Sequence, residues 1–260
     1  MNIVLLVIQA IITFTLGAVM GSFLLVVASR MNVRTMYGRS KCDQCGTQLQ
    51  ARDMVPVVSY LVLAGRCRSC QSRISPRVLW TEICMGLGFL VHSFVAGDAV
   101  ALVVGYIVLS LCCVMALYDA KTQFLPNTYL YSLVGVGVIY RFLAVYQVGI
   151  AHSPIGYLYM AIPALLLAAI VLVSRGRWMG AGDPVLLLGL SIVVGTWQGA
   201  LFTLLFASWI GLIYVAIIGV LNWHRKKPFI LNNPIAFGPC LIAGFLIAWW
   251  LSLAGLLVFV

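Results

Sequence analysis

Charge is scarce in this 260-residue chain: 8% of its residues are charged, sixteen of them basic and only six acidic. A soluble domain carries about a quarter charged residues, so a water-soluble fold around one core is excluded. Histidine is rarer still, with three residues, none of them in an HExxH helix. There is one glutamate, Glu82. A GxSxG nucleophile elbow and a phosphate-cradling glycine loop are both missing. Strictly alternating apolar and polar residues are missing too, which argues against membrane β-strands. The short list of groups able to do chemistry therefore reduces to a few carboxylates and the cysteines.

What the chain has is hydrophobic length. It is 63% hydrophobic with mean hydropathy +1.09. Spans of about 20 apolar residues cross a bilayer as helices. Eight runs fit, at 3–29, 78–96, 99–118, 127–149, 156–174, 185–197, 199–222 and 235–258. The expected fold is all-α, a polytopic membrane bundle of about eight helices with one polar insertion. The first run has no basic residue before it, and Arg30 follows it. It reads as a retained helix rather than a cleaved signal. Low-complexity tracts and clear internal repeats are not evident.

Basic residues orient the bundle. Arg30, Arg34, Arg39, Lys41, Arg52, Arg66, Arg68, Arg73 and Arg77 lie between the first two runs. Lys121, the pair Arg175 and Arg177, and the triplet Arg225, Lys226 and Lys227 fall in loops on the same side. Arg141 alone falls elsewhere. Positive loops mark the cytoplasm. This face is therefore expected inside, with both termini and the turns near Gly97, Ser153 and Gln198 outside. The net charge of +10 then reports topology and attraction to anionic membrane lipids. Nucleic acid is not an expected partner, because no nucleic-acid-binding signature accompanies the charge.

The polar insertion, 31–77, holds Cys42 and Cys45, then Cys67 and Cys70, with 21 residues between the pairs. Two residues between thiolates allow a tight knuckle to aim both sulfurs at one ion, and Zn²⁺ takes four tetrahedral ligands. The pattern predicts a zinc-ribbon-like site that is structural, since four cysteines leave no open coordination position. Gly46 and Gly65 stand near the knuckles where a positive φ is useful. A pair of disulfides or unbound thiols is the alternative, and a cytoplasmic location disfavours disulfides. An insertion this small has little core of its own, so a metal staple suits it. Cys84, Cys112, Cys113 and Cys240 fall in apolar runs and read as small packing residues.

Asp119 and Asp183 are the only acidic residues after Asp98. Each stands where an apolar run meets a polar stretch, and on the expected topology both lie at one membrane depth. Ionisable groups at membrane segments are costly and mark function. Two carboxylates facing one space can share a proton and activate water. Asp183 follows Gly180 and Gly182, which permit a sharp bend, and is a candidate N-cap of the next helix. The plainer reading makes each Asp a helix cap, or an ion-pair partner of Lys121, Arg175 or Arg177. Glu82 is expected to pair with Arg73 or Arg77, and the histidines to lie in loops.

Taken in order, the motifs resemble one family across nearly the whole chain. GSFLLVVASR, KCDQCGTQL, VPVVSYLVLAGRCRSCQSRIS, PRVLWTE, YDAKTQFLPN, GAGD and NNPIAFGPCLIAG are together similar to the type IV prepilin peptidases, membrane aspartic peptidases of the GxGD class. The resemblance implies that Asp119 and Asp183 are the catalytic pair and that Cys42, Cys45, Cys67 and Cys70 hold the metal. It implies cleavage of a short basic leader from prepilins or pseudopilins at the cytoplasmic face of a bacterial inner membrane. Many such enzymes also N-methylate the new N-terminus with S-adenosylmethionine, an activity that spacing and composition do not show. On this reading 1–30 is the first membrane helix, 31–77 the four-cysteine domain and 78–260 the peptidase core.

The chain departs from the family pattern at Leu25, Asn127, Pro184, Val185 and Ala236. Pro163-Ala164-Leu165 spells the PAL tripeptide of presenilin-type proteases, but it precedes GxGD here instead of following it. Two further readings compete: a membrane assembly factor or proton-coupled transporter without enzymatic activity, and a peptidase relic that only binds.

Overall fold

A computed structural model of the chain describes residues 3–30, 40–148, 154–224 and 236–257, with side chains omitted at 144–148, 154–157 and 221–224. Arg34, Arg39, His152, Ser153, Arg225, Lys226, Lys227 and the start of the 232–244 motif lie outside the described residues, as does the His224 side chain.

The described residues are helical, without a strand. Eight long helices follow the eight apolar runs: α1 (Ile3–Arg30), α3 (Pro76–Val95), α4 (Ala99–Thr122), α5 (Asn127–Val148), α6 (Pro154–Ser174), α7 (Gly182–Val194), α8 (Trp197–His224) and α9 (Gly238–Leu253). A five-residue helix, α2 (Val58–Val62), lies in the insertion. By length and composition, Ile3–Arg30, Pro76–Val95, Ala99–Thr122 and Trp197–Val220 can cross a membrane, while three further apolar helices are shorter. Large apolar side chains such as Ile11, Phe23, Trp209 and Ile213 are exposed on α1 and α8. A helix facing lipid has such a surface, because it has no need to hide apolar groups.

Helix ends follow local chemistry. Ser75 caps α3 through its side chain, and Pro76 takes the first helical position, where a missing N–H costs nothing. The Asp98 carboxylate accepts from Ala101 N–H at 2.8 Å and caps α4. α7 starts three residues before the expected run and stops at Gly195, whose φ of 85° reverses the chain.

The chain forms two compact units, Met1–Ala96 with Gly105–Val114, and Gly97–Val104 with Met115–Val260. In the first, α1 packs along α3. A Cβ on Gly17 would run into the Met85 carbonyl, and one on Gly21 would sit 2.8 Å from the Thr81 carbonyl. Small residues four apart let two backbones touch where lipid supplies no hydrophobic drive. Phe89 stacks on Tyr106 with ring centroids 4.2 Å apart. His92 is not in a loop: it is fully buried in α3, edge-on to Tyr106, and occupies the space a Cβ on Gly105 would need. Glu82 also differs from expectation. It is 4% exposed and accepts a hydrogen bond from Val57 N–H at 2.7 Å, rather than pairing with Arg73 or Arg77. A buried carboxylate needs a donor, and Val57 supplies one from a backbone at φ 63°.

In the second unit α7 is the central element, packed against α5, α6, α8 and α9. Leu186, Leu187, Leu190 and Val193 are fully buried along it. Gly189 meets Leu133 of α5, and a Cβ on Gly244 of α9 would fall 2.6 Å from Ala207 N of α8. Cys112 and Cys240 are buried packing residues as expected, while Cys84 lies on the exposed face of α3.

Candidate active site and metal centre

Asp119 lies inside the last turn of α4, which runs on to Thr122 and ends where Gln123 takes a left-handed conformation. Its carboxylate is 4% exposed. The C-terminal end of a helix disfavours negative charge. The compensating donor comes from α9, where Gly238 N–H donates to Asp119 Oδ2 at 3.1 Å. Gly238 is the first residue of α9, so its N–H has no partner within its own helix. A Cβ at 238 would stand 2.6 Å from that oxygen, so glycine alone allows this approach.

Asp183 is 5% exposed and sits one residue inside α7. It is not the N-cap, a position held by Ala181. Its Oδ2 instead accepts from Gly180 N–H at 3.2 Å, closing the Gly180–Asp183 turn on itself. Pro184 falls in the first turn of α7, where a missing N–H breaks no helix bond. The departure from the family pattern at 184 thus leaves the helix hydrogen bonds of α7 intact.

Leu125, in the stretch after Asp119, would sit 3.0 Å from a Cβ on Gly182. The two aspartate motifs thus touch through Leu125 and Gly182. Two buried carboxylates result, Asp119 held by the first backbone N–H of α9 and Asp183 by the Gly180 N–H just before α7. Such a pair can hold a proton and move it, which is the equipment of general acid–base catalysis. Sequence alone named both aspartates but assigned no role to Gly238, whose signal was only its place in the FGP tripeptide.

α7 is held at its other end as well. Arg141 of α5 donates through Nε to Ile192 O at 2.8 Å and through Nη2 to Val193 O, filling the space beside Gly195. A cation at a helix C-terminus complements its unpaired carbonyls. That explains the one basic residue outside the pattern of the others.

The four cysteines come together in the first unit, with all four Sγ atoms within 4.8 Å of one another. Cys42 Sγ and Cys70 Sγ are 3.8 Å apart, close to the edge of a tetrahedron with Zn–S bonds of about 2.3 Å. The two knuckles repeat each other. Cys42 N–H donates to Thr47 O as Cys67 N–H donates to Ser72 O, with Gly46 N–H and Gln71 N–H returning to the Cys42 and Cys67 carbonyls. Gly46 has φ 69°, as expected, and its counterpart Gln71 has φ 59°. KCDQCGTQ and RCRSCQSR are thus a short internal repeat, legible only once the two knuckles are superposed in their hydrogen bonds. The Cys42 thiol is lowered to about 6, chiefly by the Cys45 N–H, then by the Gln44 N–H and the Ser72 hydroxyl. The Ser72 hydroxyl also lowers Cys70, whereas Cys67, though lowered by the Cys70 N–H, is raised on balance by desolvation and by its side-chain hydrogen bonds with Cys42 and Cys70. Thiolates are the metal-binding form, so the donor set fits a soft divalent ion.

Residues 15–96 match the bacterial peptidase A24 N-terminal domain, and residues 106–216 the type IV leader peptidase family. The chain is 32% identical over 205 residues to a prepilin leader peptidase/N-methyltransferase of Klebsiella pneumoniae, covering 75% of this chain and 89% of that protein. It is 30% identical over 273 residues to one of Pseudomonas aeruginosa, covering 92% and 89%. A type 4 prepilin-like proteins leader peptide-processing enzyme of Escherichia coli is 32% identical over 216 residues, covering 79% and 73%. No solved structure matches the chain.

Proposed function

The chain belongs to the type IV leader peptidase family, and from that premise we propose that it cleaves the leader peptides of prepilins or pseudopilins with Asp119 and Asp183 as its catalytic pair. It is a membrane-embedded peptidase. The transporter and assembly-factor readings give way to this membership. The observation that carries the catalytic assignment is the pair of buried carboxylates, each fixed by one backbone N–H, on motifs that touch through Leu125 and Gly182.

The chemistry follows from that pairing. Two buried like charges repel, so the dyad holds one shared proton. The ionised carboxylate takes a proton from water as the oxygen attacks the scissile carbonyl, and the protonated one donates to the carbonyl oxygen. Collapse of the tetrahedral intermediate returns a proton to the leaving amine. No acyl-enzyme forms, and the pair titrates as a unit. The substrate's apolar helix lies in the bilayer and presents its leader junction at the cytoplasmic surface, the side on which the basic loops fall.

Zn²⁺ held by Cys42, Cys45, Cys67 and Cys70 is the proposed structural metal, and the domain division 1–30, 31–77 and 78–260 is the proposed functional one. The names of the relatives also carry N-methyltransferase activity, which we extend to this chain. The test of the dyad is direct. Asp119→Asn and Asp183→Asn each keep an oxygen for the Gly N–H but lose the carboxylate. Each is expected to abolish leader cleavage of a purified prepilin read by intact mass, and turnover retained in either variant sinks the assignment.

A further inference from the structure

The segment between the two cysteine pairs exposes an apolar face that the insertion itself leaves uncovered. Met54 and Val55 precede α2, and Val58, Leu61 and Val62 project from it at helical spacing. All five are exposed, Leu61 at 64% and Val62 at 73%. Exposed aliphatic side chains this close in sequence within a polar insertion cost solubility unless something apolar covers them.

Two observations identify the cover. The first is depth. Val57 N–H is held by Glu82 in the second turn of α3 at 2.7 Å, so the segment is tied to the start of a helix apolar and long enough to cross a membrane. Trp80, two residues before Glu82, is 63% exposed. Exposed tryptophan at the end of a spanning helix sits at the boundary between headgroups and acyl chains. The second is charge. Exposed Arg52, Arg66, Arg73 and Arg77 flank the apolar cluster in sequence. Basic residues bordering a short apolar face match an anionic lipid surface, and they are a poor match for a basic leader peptide.

We propose that residues 54–62 are an interfacial membrane anchor: Met54, Val55, Val58, Leu61 and Val62 enter the headgroup–acyl boundary of an anionic bilayer beside α3. Glu82 sets the depth of this anchor by holding Val57. The positive φ of Val57, unfavourable for a β-branched residue, is the local bend that turns the segment back along the membrane surface. The four-cysteine knuckles on either side are thereby fixed to the bilayer at their middle as well as through α3.

The test places a genetically encoded diazirine amino acid at Leu61, at Val62 or at exposed Gln48 in the full chain. Each protein is reconstituted in vesicles of phosphatidylethanolamine and phosphatidylglycerol, irradiated and digested, and adducts are identified by mass. Folding of each preparation is checked by helical circular dichroism, leader cleavage is recorded beside it, and Val58 replaces either position if its substitution unfolds the protein. The anchor predicts lipid adducts several-fold more abundant at Leu61 and Val62 than at Gln48. Lipid yields no higher than at Gln48, or adducts chiefly to a second copy of the chain or to a prepilin, overturn it. Cleavage and lipid adducts are read separately, so failure of the anchor is distinct from failure of the peptidase reading.

Discussion

Gly238 N–H donates to Asp119 Oδ2 at 3.1 Å across 119 residues of sequence. The bond sets the first residue of α9 against the last turn of α4, and a Cβ at 238 would lie 2.6 Å from the carboxylate oxygen. Gly238→Ala must displace the carboxylate or the start of α9. A displacement of about 1 Å at reacting groups costs on the order of a hundredfold in rate. The expected outcome is a fall of that size in kcat for leader cleavage, with the helical circular dichroism unchanged. Wild-type kcat in this variant removes Gly238 from the positioning of Asp119.

Arg141 supports α7 from the end opposite Asp183. Arg141→Met leaves the Ile192 and Val193 carbonyls without their donor. Losing a charged hydrogen-bond partner costs about 1.5–3 kcal/mol. Thermal unfolding in detergent is expected to shift down accordingly, with Arg141→Lys intermediate because it keeps the cation and loses the two-pronged geometry.

The cysteine cluster predicts about one zinc per chain, lost in Cys67→Ala and measured by elemental analysis of purified protein. The pH direction follows from Cys42. Its thiol is lowered to about 6, so the thiolate is present above that pH and takes up a proton below it. Zn²⁺ uptake by metal-free protein is expected to weaken as pH falls through about 6, since protons and metal compete for the same sulfur. Uptake that stays constant from pH 7 to pH 5 (roughly one unit either side of that thiol) contradicts this role for Cys42.

The contact of α1 with α3 depends on Gly17 and Gly21. Gly17→Leu drives a side chain into the Met85 carbonyl, and overpacking of this kind costs about 1–3 kcal/mol. Reduced thermal stability is expected, with the exposed α1 substitution Ile11→Leu near neutral as the control.

The eight helices were legible in the sequence because each is a local property. Burial and lipid solvation reward apolar length without regard to direction, so continuous runs mark helices residue by residue. The cysteine pairs were legible for the same reason, since a knuckle closes within six residues. Asp119 and Asp183 stood out because carboxylates are rare in such a chain. Helix boundaries were less legible: α7 begins at Gly182, ahead of its apolar run, because the Gly180–Asp183 turn and Pro184 together start it.

Sequence by itself therefore determined an all-helical membrane peptidase with two candidate carboxylates and a four-thiol cluster. Only the tertiary structure decided which donors hold those groups. Gly238 on Asp119, Val57 on Glu82 and Arg141 on the end of α7 join residues 119, 25 and 51 positions apart. Hydrophobicity places each helix in the bilayer without specifying its neighbours, because lipid tails are as apolar as the side chains. Hydrogen bonds do specify them, through distance and angle, and those exist only once the helices have packed.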